Sequence, residues 1–213
     1  MNSDEINYKR DKYKHKMMQT GGSHNAALYQ TKLDQYNKLM EQMGGKDDVY
    51  VSPFHSTQAG GAPGMQVQTL SDSGGSKTYA IIFSKGDEAF SGLNDFAREY
   101  NVTAAHFKGI GALRRGTLGW FSAEKMMYKK IPIEEQVEVA SIIGDIAMFE
   151  GKPVVHCHMV VGLPDGSAKA GHVIEAHVWP TLEIIITVEP TALLKSRDPA
   201  TGLSLINPSL AKN

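Results

Sequence analysis

From Thr78 onward the chain is a succession of short apolar runs: TYAIIF (78–83), TAAHFKGIGAL (103–113), TLGWFS (117–122), EVASIIGDIAMF (138–149), PVVHCHMVVG (153–162), GHVIEAHV (171–178) and TLEIIITVE (181–189). Their length and β-branched content predict strands. Several are separated by glycine-bearing turns such as LPDGSAKAGH (163–172), which suit antiparallel hairpins better than helical crossovers. One interval differs. SKGDE (84–88) reads as a turn leading into a helix in which Phe90, Leu93, Ala97 and Tyr100 share a face. The expected fold class is α+β: a compact domain of mostly antiparallel or mixed β-sheet with one main helix.

The first 64 residues follow another pattern. YKRDKYKHK (8–16) mixes basic and aromatic residues without a hydrophobic period and reads as a solvated arm. Tyr29, Leu33, Tyr36, Met40 and Met43 then recur at helical spacing, which predicts a helix over residues 23–43 ended by Gly44-Gly45. Residues 44–64 have linker composition. The expected organisation is an N-terminal extension over 1–64, comprising arm, helix and linker, and a domain over 65–213, with Met65 as an alternative start.

Charge and cysteine content remove several function classes. With 22 basic and 23 acidic residues, the whole chain has no electrostatic bias toward nucleic acid. A single cysteine, Cys157, allows neither an internal disulfide nor a C-x-x-C redox or zinc motif. No secretory signal or membrane span is evident, so the sequence reads as cytoplasmic.

Within VVHCHMVVG (154–162), strand alternation puts His156 and His158 on one face and Val155, Cys157, Met159 and Val161 on the other. The second face is wholly apolar and is the expected core side, with Cys157 packed there as a small hydrophobe. After the turn, His172 returns alongside the pair. Three neutral imidazoles with an open fourth position describe a catalytic-type zinc site, although nickel, iron or copper would accept the same donors. Hydrogen-bonded or surface histidines are the alternative.

Glu138, Glu175 and Glu183 lie in apolar strands and could orient an imidazole or act as a general acid or base; solvent-facing positions or salt bridges are the alternative. Ideal alternation sets Glu175 and His177 opposite His172, which favours Glu183 for the catalytic role. Arg114-Arg115 could grip a carboxylate or phosphate, and Arg114 is the candidate for that role, with loop solvation as the alternative. His106, before the glycine-rich GIGAL, fits either the same cleft or the core.

The motifs YAIIFSKGDE, AAHFKGIGAL, TLGWF, KKIPIEEQVEVASIIGDIA, KPVVHCHMVVGLPDGSAKAGHV and EAHVWPTLEIIIT, in this order, resemble the PPC (plants and prokaryotes conserved) domain from about Leu70 to Leu205. The resemblance implies a compact domain, assembled as a trimer, that associates with partner proteins and in plants accompanies an Arg-Gly-Arg-Pro AT-hook. This sequence has no such segment, so DNA contact would fall to the arm at 8–16. The fold is also similar to that of acetolactate decarboxylase, whose zinc ligands are an H-x-H pair and a third histidine, a pattern met by His156, His158 and His172. Two functions are expected on this basis. One is a trimeric zinc-binding module with a regulatory or DNA-associated role; the other is a metal-dependent lyase or hydrolase acting on a small oxo- or hydroxy-acid.

Overall fold

The computed structural model of the chain describes residues 61–211 together with Tyr13, residues 29–35, Lys38 and a short strand at 50–51. In chain order the strands are β1 (Tyr50–Val51), β2 (Gln66–Ser73), β3 (Ser76–Ser84), β4 (Ala104–Ser122), β5 (Met127–Ile133), β6 (Val137–Phe149), β7 (Lys152–Gly162), β8 (Ala168–Val188), β9 (Lys195–Arg197) and β10 (Ser204–Ile206). One helix, α1 (Ala89–Glu99), lies between β3 and β4. Among the described residues no helix is long and apolar enough to cross a membrane.

The chain divides into two compact units, Met1–Pro53 with Phe121–Lys130 and Phe54–Trp120 with Ile131–Asn213. In the first, residues 29–35 are helical with Leu33 buried, within the helix expected over 23–43. β1 pairs antiparallel with β5, Tyr50 facing Lys129 and Val51 facing Tyr128. The remainder of that helix, the basic arm apart from Tyr13, and most of the linker lie outside the described residues.

The second unit is dominated by strands in the order β4-β6-β7-β8-β3-β2, and its ladders are antiparallel. β8 also pairs with β4, which closes β4, β6, β7 and β8 into a ring. Closure is possible because β4 and β8 are each far longer than the sequence predicts. TAAHFKGIGAL and TLGWFS form a single strand of 19 residues, and GHVIEAHV and TLEIIITVE one of 21. The breaks expected at Arg114–Gly116 and Trp179–Pro180 are irregularities inside continuous strands. Pro180, which cannot donate to a ladder, lies where the β4–β8 register slips. The two backbones also approach closely here: a Cβ at Gly109 would stand 2.4 Å from the Glu183 carbonyl oxygen, which explains the GIG run.

One face of the ring is packed. Val155, Cys157, Met159 and Val161 of β7 join Ile142 and Ile146 of β6, Leu182, Ile184 and Ile186 of β8, and Leu93, Phe96 and Ala97 of α1 in a single core. The helix buries the expected Leu93 and Ala97. Phe96 is also fully buried, whereas Tyr100 caps the helix and is exposed. Tyr100 still stacks on Phe96 with ring centroids 4.5 Å apart.

Glu88 sets the start of α1. Its carboxylate, fully buried, accepts from the amides of Phe90 (3.2 Å) and Ser91 (2.7 Å), from the Ser91 hydroxyl, and across the core from the Ala176 amide of β8 (2.8 Å). It is therefore both an N-cap and the tie between helix and sheet. Glu88→Ala removes these partners together and should lower stability by about 2–4 kcal/mol, with Glu88→Gln losing less, as measured by urea unfolding.

Candidate metal centre

The β7–β8 hairpin determines which side chains meet. Its turn is held by Leu163 and Ser167: the Leu163 amide donates to the Ser167 carbonyl at 2.8 Å, and Asp165 accepts from the Ser167 amide at 2.8 Å. From Gly162 opposite Ala168 the ladder runs to His158 directly opposite His172. Cross-strand partners share a face, so His172 joins His158 and, two residues along, His156. The three rings stand with centroids 5.2, 5.3 and 5.7 Å apart, and one nitrogen from each lies within 4.8 Å of the others.

Tetrahedral zinc holds imidazole nitrogens about 3.3 Å apart, so only small ring movements separate this arrangement from a shared ion. His156 and His172 are half-buried and His158 is exposed. Although its edge reaches solvent, partial desolvation by the surrounding protein, followed by the nearby His156, holds the His158 imidazole below its ordinary range and favours the neutral, ligating form. Cys157 is buried on the opposite face and burial pushes its thiol well up, so it takes no part.

Asp145 of β6, absent from the sequence-based candidates, faces His156 across the β6–β7 ladder. Its Oδ2 lies 3.3 Å from His156 Nδ1, and its Oδ1 lies 3.0 Å from the Nζ of Lys195, which is almost fully buried. Burial opposes ionisation of Asp145, but the hydrogen bond with His156 and the charge of Lys195 outweigh it and hold the carboxyl below the ordinary range. No spacing rule links Asp145 to His156, which is 11 residues away, or to Lys195. Only the ladders bring them together.

The acid and base candidates from the sequence are placed differently. Glu183 is exposed and lies opposite Ile110 and Ile82. It is not a member of the histidine cluster. Glu138 is likewise exposed, opposite Ala112 and Gly162. Arg114 is exposed at a bulge, between the pairs Leu113–Val178 and Arg115–His177. His106 is exposed, opposite Asp145 and Thr187, with Nδ1 3.5 Å from Glu189.

The bulge at Ile174 corrects the alternation expected for β8. Leu118 pairs with Val173 and Thr117 with Glu175, so Ile174 is the extra residue, and Val173 and Ile174 are both buried. Glu175 and His177 thereby move to the face of His172, with Gly119, Thr117 and Arg115 of β4 opposite His172, Glu175 and His177 in turn. Glu175 Oε1 and His177 Nε2 are in direct contact. The close approach at His172 needs Gly171, whose Cβ would stand 2.6 Å from the Gly119 carbonyl oxygen.

The sequence profile of the Plants and Prokaryotes Conserved (PCC) domain matches residues 70–190. No curated protein matches the chain in sequence. Among solved structures, a candidate DNA-binding protein of Bacteroides thetaiotaomicron is similar at 25% identity over 66% of this chain and 96% of its own, with a TM-score of 0.61. A plant- and prokaryote-conserved (PPC) protein of Pyrococcus horikoshii is similar at 26% over 67% and 94%, TM-score 0.58. A metal-containing protein of Archaeoglobus fulgidus is similar at 26% over 67% and 97%, TM-score 0.57.

The burial of Cys157 has a direct readout. The native protein should leave a thiol reagent unreacted over hours, and one equivalent should react on unfolding; rapid native labelling would contradict the packing of β7.

Proposed function

Because the chain belongs to the Plants and Prokaryotes Conserved domain family, we propose that it is a zinc-binding module of that family, with His156, His158 and His172 as the protein ligands. The observation that carries this reading is that one nitrogen from each of the three imidazoles lies within 4.8 Å of the other two. A similar structure from Archaeoglobus fulgidus that contains metal supports it. The donor set fits a borderline ion such as zinc, which would act as a Lewis acid there. Purified protein should contain close to one zinc per chain, and the His156→Ala/His158→Ala variant almost none, by elemental analysis. Undiminished metal in that variant would refute the assignment.

The module acts, in this proposal, as a homotrimer that associates with partner macromolecules. The basis is family resemblance together with Ile110, Ile143 and Ile185, exposed on the outer face of β4, β6 and β8, where cross-strand neighbours run from His158 through Ile143 and Lys108 to Ile185. Native mass measurement should give three copies, with Ile110→Asp/Ile143→Asp reducing the mass to one; a monomeric wild type would exclude this assembly. DNA contact is confined to the arm at 8–16, and removing residues 1–20 should abolish any salt-dependent DNA binding.

A second reading, a metal-dependent lyase or hydrolase of small oxo- or hydroxy-acids, is favoured by one observation. Arg115, Glu175 and His177 share the outer face with His172, and Glu175 is about 7 Å along the strand from it. The guanidinium suits a substrate carboxylate, and the Glu175–His177 contact suits proton transfer. In this reading they replace Arg114 and Glu183. Zinc-loaded protein should turn over such an acid, and Arg115→Met should raise KM. Absence of turnover across a panel of 2-oxo and 2-hydroxy acids leaves the binding module as the function.

A further inference from the structure

Lys195 has an unusual position for a lysine. Its side chain is only 2% exposed, and its partner Asp145 sits against His156. A buried ammonium is costly unless paired, so the segment delivering it must be held firmly enough to offset that cost.

That segment is well anchored. Lys195 opens β9, which pairs with β10 so that Lys195 faces Ile206. The Leu194 carbonyl accepts from the Asn207 amide at 2.9 Å, and the Met148 amide at the end of β6 donates to the Leu193 carbonyl at 2.8 Å. A parallel bridge between Met148 and Leu194 continues the attachment. The hairpin thus docks on the strand that carries Asp145, three residues from it. It also lies beyond residue 190, where the match to the family domain ends.

We infer that Lys195, delivered by this C-terminal hairpin, is a positioning residue for the metal centre: it fixes the Asp145 carboxylate, which in turn orients His156. The inference rests on the three histidines binding zinc. Asp145 has two oxygens: Oδ1 forms an ion pair with the ammonium at 3.0 Å, without hydrogen-bond alignment, and Oδ2 lies 3.3 Å from His156 Nδ1. With Nδ1–H donating to the carboxylate, the lone pair of His156 is on Nε2, free for an ion. Without Lys195 the half-buried carboxylate is no longer held from its far side and turns toward water, which releases the ring.

The test is zinc affinity, by competition with a chromogenic chelator, on the full chain and its variants, alongside 15N NMR of the imidazoles in metal-free protein. Asp145→Asn should weaken zinc about 10–100-fold and Lys195→Met about tenfold, the range found for groups that orient metal ligands. The double variant should bind no more weakly than Asp145→Asn alone, because Lys195 acts through Asp145. Lys195→Gln, which keeps a donor, should recover part of the loss and covers the case in which Lys195→Met does not fold. In the metal-free wild type His156 should be the Nδ1–H tautomer, and in Lys195→Met a mixture. Wild-type zinc affinity in both Lys195 variants, tighter binding, or a fully additive double variant would overturn the role of Lys195 while leaving the metal centre standing. A wild-type chain without zinc affinity overturns both.

Discussion

A side chain on a strand can face only one of two sides, and in this chain the core under α1 takes one side of β4, β6, β7 and β8 entirely. Leu113, Ile146, Val161 and Ile184 are among the residues it buries. Each such methyl-rich side chain is worth roughly 1.5–3 kcal/mol when removed from water, so a one-residue slip in any of these strands would expose several at once. Polar residues in the same strands are therefore held to the outer face. His156, His158 and His172 meet because burial of their neighbours leaves them no alternative and the β7–β8 register aligns them.

Ring closure and bulges then modify this alternation. β8 pairs with β7 near its start and with β4 along most of its length, and that double duty demands local changes in twist that an unbroken strand would resist. Ile174 and Arg114 sit where the ladder absorbs the difference. One consequence is chemical: Glu175, His177 and Arg115 come to the histidine face. The other is structural, because Glu88 reaches the Ala176 amide just beyond the Ile174 bulge and links the helix to the strand that carries His172.

Much of the fold was legible in the sequence. The seven apolar runs lie in five strands, the helix after SKGDE forms with Leu93 and Ala97 inward, and the turn at LPDGS closes a hairpin. The apolar runs end at Leu113 and Val178 and resume at Thr117 and Thr181, but in the structure β4 and β8 continue through these gaps with local register shifts. The short strands β9 and β10 carry little periodicity, and their placement depends on docking against β6. Phe96 escaped the helical-face reading because only its contacts with Tyr79 and Tyr100 reveal how far the core extends.

For the site, the sequence alone determined the H-x-H pair, its separation from Cys157 and the return of His172 across a short turn. These are local properties, fixed by two-residue periodicity and by a turn that leaves few registers open. The tertiary structure decided which charged groups accompany them. Asp145 and Lys195 meet His156 across ladder and hairpin contacts between residues far apart in the chain, while a single bulge reverses the face assigned to Glu175 and His177. Strand pairing at long sequence separation and the location of bulges depend on closing the whole sheet over its core, and no short stretch of sequence carries that information.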